Sequence, residues 1–187
     1  MPVETQDFYS NLKIEFEGEP YEVIDCQHVQ PGKGKGFVKT KLKNLLTGSI
    51  VQETFPSGET VETPQLETRE MEYLYEDDGH YVFMDQDTYE QVRVDEDAVE
   101  AILDYLKENL AVDILFYEGT PIDVDPPTFV DLEIVEAPPG VKGDTAQGGT
   151  KTVTLETGVE VDVPLYLERG EVIRIDTRSG EYSERVS

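Results

Sequence analysis

The sequence predicts an all-β protein made of small barrels, and two features of the 187-residue chain carry this prediction. Most of the chain consists of short runs that alternate apolar with polar residues or are rich in β-branched residues. Gly, Pro, Asn and Asp separate these runs at intervals of roughly eight to twelve residues, which is typical of barrels and sandwiches. Helical periodicity, in contrast, is scarce. Because the chain is too long for one small barrel, we expect two or three compact units.

The first unit is predicted at residues 1–63. Its strands are expected at Lys13–Phe16, Tyr21–His28, Gly36–Lys43 and Ile50–Phe55. The turns between them contain residues that tolerate tight or left-handed backbone, for example at Gly18, Asn44–Gly48 and Gly58. We place the end of this unit near Thr63-Pro64, to within about four residues.

The second unit, residues 64–127, is predicted to be a five-stranded OB-type barrel. Apolar residues from Val99 to Leu110 recur at helical spacing behind the acidic Asp95–Asp97, which predicts a helix. Strands are expected before this helix at Glu72–Tyr75, Tyr81–Asp85 and Gln91–Val94, and after it at Asp113–Tyr117 and Ile122–Val124. Three strands, a helix and further strands follow the order of an OB barrel, whose helix plugs one end.

The third unit is predicted at residues 128–187. Pro126 and Pro127 cannot continue a central strand, so a boundary falls at this pair. A new series of strands follows, expected at Thr128–Val135, Thr152–Leu155, Val159–Val163 and Val172–Asp176. A second barrel of similar size accounts for them.

The chain is strongly acidic, with 41 acidic and 15 basic residues and a formal net charge of −26 at pH 7. The predicted units 1–63, 64–127 and 128–187 carry net charges of −4, −16 and −6. Taken whole, this charge argues against binding to nucleic acid, but affinity depends on where the charges lie. An acidic surface also keeps proteins soluble in concentrated salt, and we take a high-salt cytoplasm as a hypothesis.

Five of the 15 basic residues lie in an eleven-residue window, at Lys33, Lys35, Lys39, Lys41 and Lys43. Alternation along a strand places the last three on one face. The loop before them has a glycine at every second position, in the order Pro31, Gly32, Lys33, Gly34, Lys35 and Gly36. We therefore expect an exposed amine at a hairpin tip, suited to a phosphate or a nucleotide end in a narrow cleft. Charge and spacing alone leave an ordinary solvated hairpin as an equal alternative.

The sequence contains no pattern that predicts an enzyme, a metal site or a cofactor. His28 and His80 have no second His or Cys at metal-ligand spacing, and the glycines of the loop are not spaced as a dinucleotide or phosphate fingerprint. Cys26 is expected to be a small core residue. Without an apolar run of membrane-spanning length or a signal-peptide pattern, we expect a cytoplasmic protein with no membrane partner.

Many short blocks along the chain resemble the bacterial elongation factor P family in order and spacing. In the first unit these blocks are Pro31–Gly34, Phe37, Leu45–Gly48 and Glu53–Phe55; in the second, Tyr73–Tyr75, Val82–Asp85, Thr88–Gln91, Gly119–Ile122 and Pro126-Pro127; in the third, Pro139–Thr145, Thr157–Pro164 and Asp176–Tyr182. The resemblance covers the chain from end to end.

The resemblance implies an L-shaped protein with one KOW/SH3-like barrel followed by two OB folds. It also implies a function: a monomer that is not an enzyme binds the 70S ribosome between the peptidyl and exit sites. There it relieves stalling at consecutive prolines by positioning peptidyl-tRNA, with ribosomal RNA as a further partner. Such help is entropic and needs no nucleophile.

By the same resemblance, Lys33 would reach the CCA end of the tRNA, and a lysine-modifying enzyme would extend its amine. Lys39, Lys41 and Lys43 are candidate RNA contacts. The loop at Gly143, Asp144 and Thr145 would lie near the exit-site codon. Arg178, Tyr182 and Arg185 offer guanidinium and aromatic groups for phosphate and sugar, and each fits a barrel surface equally well.

The chain departs from the family pattern at two places. Thr152-Val153 follow Lys151 where the family usually has Pro-Ala, and Lys35-Gly36 doubles the charge at the tip. The modification itself stays open between β-lysylation, aminopentanol addition and none. Two other identities are considered: the elongation-factor-P-like paralogue, and a generic OB-fold RNA-binding protein that acts off the ribosome and would need aromatic platforms on a basic face.

Overall fold

The computed structural model of the protein describes residues 1–140 and 149–187. Strands dominate, as the sequence predicts. The strands within the described residues are β1 (Val3–Glu4), β2 (Lys13–Phe16), β3 (Glu19–Val29), β4 (Phe37–Asn44), β5 (Ile50–Pro56), β6 (Thr60–Val61), β7 (Leu66–Asp77), β8 (His80–Asp85), β9 (Gln91–Asp95), β10 (Ala111–Tyr117), β11 (Thr120–Asp125), β12 (Phe129–Glu136), β13 (Thr150–Leu155), β14 (Glu160–Pro164), β15 (Val172–Asp176) and β16 (Glu181–Arg185). The helical elements in the same residues are α1 (Glu96–Val99) and two 3-10 turns, Thr5–Asp7 and Glu100–Ile102.

These strands form four sheets. The strand orders are β2-β3-β4-β5, β1-β6, β11-β10-β7-β8-β9 and β14-β13-β12-β15-β16. The all-β fold class is therefore confirmed. The predicted unit ends at residues 63 and 127 fall in the gaps between β6 and β7 and between β11 and β12.

The chain divides into two compact units, Met1–Glu67 with Leu115–Asp123, and Thr68–Ile114 with Val124–Ser187. The first unit contains a core of Phe8, Leu12, Ile14, Tyr21, Val23, Val38, Leu42 and Phe55. The second contains a core of Val130, Leu132, Ile134, Val153, Leu155, Val161, Val163, Leu167, Ile173 and Ile175.

Strand β4 shows how the first core orients the candidate site. Its residues alternate strictly, because a strand places successive side chains on opposite faces. Val38, Thr40, Leu42 and Asn44 are buried, while Lys39, Lys41 and Lys43 are exposed. Asn44 then ends the strand, since its Oδ1 accepts hydrogen bonds from the backbone N–H groups of Leu46 and Thr47. The core thus determines which face carries the lysines.

The predicted helix is present but much shorter than its apolar stripe. It covers four residues of α1 and the 3-10 turn that follows. Val99 and Ile102 are buried, whereas Tyr105 and Leu110 pack against the core of the sheet β14-β13-β12-β15-β16. The apolar side chains of this segment therefore do not all pack against one surface. A continuous helix, which would place them on one face, does not extend beyond Ile102.

Three strands were not anticipated. β1 and β6 contain two residues each, and strands of this length are too short to show an alternating pattern in the sequence. β16 has the polar sequence Glu-Tyr-Ser-Glu-Arg, in which only Tyr182 is half-buried. It is recognised as a strand only through its antiparallel pairing with β15.

Candidate functional site

The loop between β3 and β4 presents Lys33 to solvent. Lys33 and Lys35 are exposed, as are Gly32 and Gly34, while Pro31 is half-buried. Within residues 1–140 and 149–187, the Lys33 ammonium has no hydrogen bond or ion pair. The amine is therefore free to contact another molecule.

The glycines of this loop meet different requirements. Gly34 has a φ of +96°, a conformation that L residues with a side chain rarely adopt. Gly36 is buried, and a Cβ there would lie 2.7 Å from Gln30 Oε1 and 3.0 Å from the Val29 carbonyl oxygen. Gly32 has open space around it. Two of the three glycines are thus required by the local geometry, which gives the loop a defined shape.

The three lysines of β4 differ in how far their charge is compensated. The residues opposite them on β3 and β5 are Gln27 and Thr54 for Lys39, Asp25 and Gln52 for Lys41, and Glu22 and Ile50 for Lys43. Only Lys39, among the three, has no carboxylate directly opposite. A depression of about 370 Å³ lies on this face, and its lining includes Lys39 and Lys41 as well as the carboxylates of Asp25 and Glu53. Positive charge is therefore least compensated at the end of β4 that adjoins the loop.

Arg178 lies near the carboxyl terminus and is held by its neighbour. Its Nε and Nη2 donate to the two carboxylate oxygens of Asp176 at 3.0 and 2.8 Å, and its guanidinium lies 5.9 Å from the ring centroid of Phe129. These hydrogen bonds hold the pKa of the Asp176 carboxyl below its usual value. The guanidinium is exposed, but its charge is already paired.

Tyr182 and Arg185 are also engaged within the barrel. Tyr182 packs against the core of the last sheet, and its hydroxyl lies 3.5 Å from that of Tyr166. Burial, together with that hydrogen bond, raises the pKa of Tyr182 to about 12. Arg185 Nη1 donates to Glu171 Oε1 at 3.1 Å. Their role in RNA contact stays a prediction, as does that of Gly143, Asp144 and Thr145, which lie outside the described residues.

The residues considered for chemistry have structural contacts instead. Cys26 is half-buried, and its Sγ donates to the Phe8 carbonyl oxygen, from which His28 Nε2 lies 3.1 Å. His80 Nε2 lies 3.1 Å from Asp95 Oδ1. Nowhere in the described ranges do three His, Cys, Asp or Glu side chains converge as metal ligands. The helices of the described residues all fall short of the length and apolar character that a membrane span requires.

Comparisons with known proteins identify the family. Models described as the elongation factor P (EF-P) KOW-like domain, the elongation factor P (EF-P) OB domain and the elongation factor P C-terminal domain match residues 4–61, 66–124 and 130–185. Elongation factor P of Caldanaerobacter subterraneus subsp. tengcongensis is 50% identical over 180 residues, 96% of this chain and 97% of the relative. The chain belongs to the elongation factor P family. Elongation factor P of Bdellovibrio bacteriovorus is likewise 50% identical, over 98% of both chains.

The family comprises translation elongation factors, which are not enzymes in the usual sense. Membership of this family implies that the partner of this chain is ribosome-related. Two solved structures share its fold. Eukaryotic translation initiation factor 5A from Methanococcus jannaschii has a TM-score of 0.58 and 19% identity, and covers 67% of this chain and 92% of its own. The initiation factor family protein from Naegleria fowleri has a TM-score of 0.54 and 12% identity, over 67% of this chain and 97% of its own.

Proposed function

We propose that this chain acts in the cytoplasm by binding the ribosome between the peptidyl and exit sites. There it speeds peptide-bond formation at consecutive prolines by positioning peptidyl-tRNA. The observation that carries this proposal is Lys33, an exposed amine at the tip of a hairpin, with no partner among the described residues and with glycine on both sides.

The proposed mechanism is positioning rather than new chemistry. Proline is a rigid and slow substrate, and holding two reactants in a productive geometry lowers the entropic part of a barrier. The reacting groups belong to the two tRNAs, so this chain needs no nucleophile or general base. An ammonium on a four-carbon stem suits this task, because it reaches into a cleft and neutralises phosphate as a point charge.

The charge distribution favours an approach to the ribosome in which the β3–β4 hairpin faces the RNA. Lys33, Lys35 and Lys39 form the least compensated positive region of the first unit, on a chain whose net charge is −26. An RNA surface repels the acidic remainder and attracts this region. Electrostatic attraction at the lysines and repulsion elsewhere therefore favour a single orientation of the protein on a phosphate-rich site.

Substitution of Lys33 tests the proposal. Lys33→Ala is expected to leave the urea unfolding midpoint unchanged, because the side chain buries nothing, and to reduce translation through Pro-Pro codons to the level without the protein. The matched control is Lys13→Ala, since the Lys13 ammonium lies 3.3 Å from Glu22 Oε2 and its charge is already paired. Rescue by the Lys33→Ala variant at the wild-type level would refute the assignment.

The same amine is the proposed site of covalent extension, since glycine neighbours leave it accessible to an enzyme. Intact-mass measurement of protein from its native host, followed by mapping of the Lys33 peptide, is expected to show an adduct there. An unmodified Lys33 peptide in a protein that rescues Pro-Pro translation would show that the bare lysine suffices.

The off-ribosome alternative is less well supported. It requires stacking aromatics on a basic surface. The exposed aromatics of the described residues instead lie in segments of net negative charge, −4 for residues 1–63, −16 for 64–127 and −6 for 128–187; they are Tyr9, Tyr75, Tyr89, Phe129 and Tyr166.

A further inference from the structure

Carboxylates are missing from one long segment of this acidic chain. Residues 26–52 contain no Asp or Glu, although about six would be expected there at the average frequency of 41 acidic residues in 187. The segment covers the end of β3, the loop to β4, all of β4 and the first residues of β5. It also contains five lysines, at positions 33, 35, 39, 41 and 43. The positive charge of this segment is therefore not neutralised from within it.

Lys35 is the lysine of this segment that departs from the family pattern. Its side chain is exposed, and its ammonium has no hydrogen bond or ion pair within residues 1–140 and 149–187. In the same part of the chain, seven other cations pair with carboxylates, namely Lys13, Arg69, Arg93, Lys107, Arg174, Arg178 and Arg185. Lys35 is therefore available to an anion outside the chain.

The backbone on both sides of Lys35 has a defined position. The carbonyl oxygen of Gly36 accepts a hydrogen bond from the Ser57 N–H at 2.9 Å, and Gly34 has a φ of +96°. The Lys35 stem thus begins at a fixed point near the base of the loop. Two residues of extended chain span at most about 7 Å, so the Cα atoms of Lys33 and Lys35 are no farther apart than this. The two ammonium groups consequently address neighbouring groups of one partner.

The composition of the loop indicates the chemistry of that partner. Residues 30–36 contain no aromatic ring that could stack on a base and no carboxylate that could pair with a cation. An ammonium acts as a compact point charge, which suits a phosphate oxygen. Backbone phosphates recur at every nucleotide and carry one negative charge each. The loop is therefore suited to an RNA backbone and not to reading a base.

We propose that Lys35 binds a backbone phosphate of RNA beside the nucleotide end that Lys33 reaches. Two charges on one loop define a direction along the RNA strand, which a single charge leaves open. This inference rests on the proposed function, because it takes the ribosome with its tRNA as the particle that carries the phosphate. It does not depend on any covalent extension of Lys33.

The salt dependence of binding provides the first test. The protein is prepared without an adduct, and its affinity for 70S ribosomes that carry peptidyl-tRNA is measured between about 50 and 200 mM KCl. Lys35→Gln is expected to weaken binding about fivefold. It should also make the slope of log affinity against log salt shallower by about 0.7–0.9, because one phosphate contact and its counterion release are lost. Lys35→Arg should keep the wild-type affinity and slope.

The matched control is Lys13→Gln, which makes the same change in net charge. The Lys13 ammonium already lies 3.3 Å from Glu22 Oε2, so this variant should bind with the wild-type affinity and slope. An equal loss of affinity in Lys13→Gln and Lys35→Gln would assign the effect to net charge and overturn the inference.

Ribosomes without tRNA identify the source of the phosphate. If the effect of Lys35→Gln, or binding itself, requires tRNA, the phosphate belongs to tRNA; if the effect remains, it belongs to ribosomal RNA. Wild-type affinity and slope in Lys35→Gln would overturn the inference, and loss of Pro-Pro translation in Lys33→Ala would still support the proposed function. If the wild-type protein does not bind 70S ribosomes at all, both fail.

Discussion

At the scale of single residues, the Lys33 hairpin is more constrained than its glycine content suggests. The conformation of Gly34 and the close approach at Gly36 both restrict the backbone. The Gly36 carbonyl also accepts a hydrogen bond from the Ser57 N–H at 2.9 Å, which ties the end of the loop to the chain after β5. The amine of Lys33 is consequently presented from a defined place.

Alanine substitution should rank the three glycines. Gly36→Ala is expected to lower the free energy of unfolding by about 1–3 kcal/mol, because the new methyl group crowds the Val29 carbonyl oxygen. Gly34→Ala should cost about 1–2 kcal/mol through its positive φ. Gly32→Ala should leave stability unchanged or raise it by up to about 1 kcal/mol, because it has open space and an ordinary φ. Urea unfolding measures all three, and equal effects would mean that the loop is not shaped as described.

At the scale of elements, the segment after α1 is held by contacts with β12 and with the turn between β13 and β14. Lys107 Nζ donates to the Asp131 carbonyl oxygen and lies 3.6 Å from Glu156 Oε1, while the Thr157 hydroxyl donates to the Asp104 carbonyl oxygen. These contacts explain why the predicted helix stops early. The Asp104 carbonyl oxygen, which would accept an intrahelical hydrogen bond in a longer helix, instead accepts from the Thr157 hydroxyl.

Lys107 should therefore contribute measurably to stability. Lys107→Met keeps the apolar stem but removes one hydrogen bond and one partly exposed ion pair, so we expect the free energy of unfolding to fall by about 1–2 kcal/mol. The control is Arg169→Met, which removes an exposed cation and should change stability by less than about 0.5 kcal/mol. Equal losses in urea unfolding would assign the effect to net charge alone.

At the scale of the whole molecule, the net charge of −26 opposes compaction by self-repulsion. Added salt shortens the Debye length from about 30 Å at 0.01 M to about 3 Å at 1 M and screens this repulsion. We therefore expect a protein with this charge to gain stability as salt is added, which is what the high-salt hypothesis requires.

The melting temperature should thus rise as KCl increases from about 0.01 to 1 M. In a variant that replaces the exposed Glu70, Glu76 and Asp113 with their amides, the rise should be smaller, because less repulsion remains to be screened. A melting temperature that does not increase with salt would contradict the high-salt hypothesis.

The β-rich fold class, the course of most strands and the exposed lysine tip can all be predicted from the amino-acid sequence. These features depend on short-range patterns, namely alternation, turn residues and glycine spacing, which act within a few residues. The function and the partners follow from the resemblance to the elongation factor P family, because periodicity carries no information about them.

Features that depend on residues far apart in the chain become visible only in the folded protein. The helix ends early because Tyr105 and Leu110 pack against strands that follow it, and Lys39 is the least compensated β4 lysine because of its register with β3 and β5. Arg185 is paired because Glu171 directly precedes β15, the strand that pairs with the Arg185 strand β16. Charge compensation is a matter of distance in space, and the order of residues along a chain does not specify that distance.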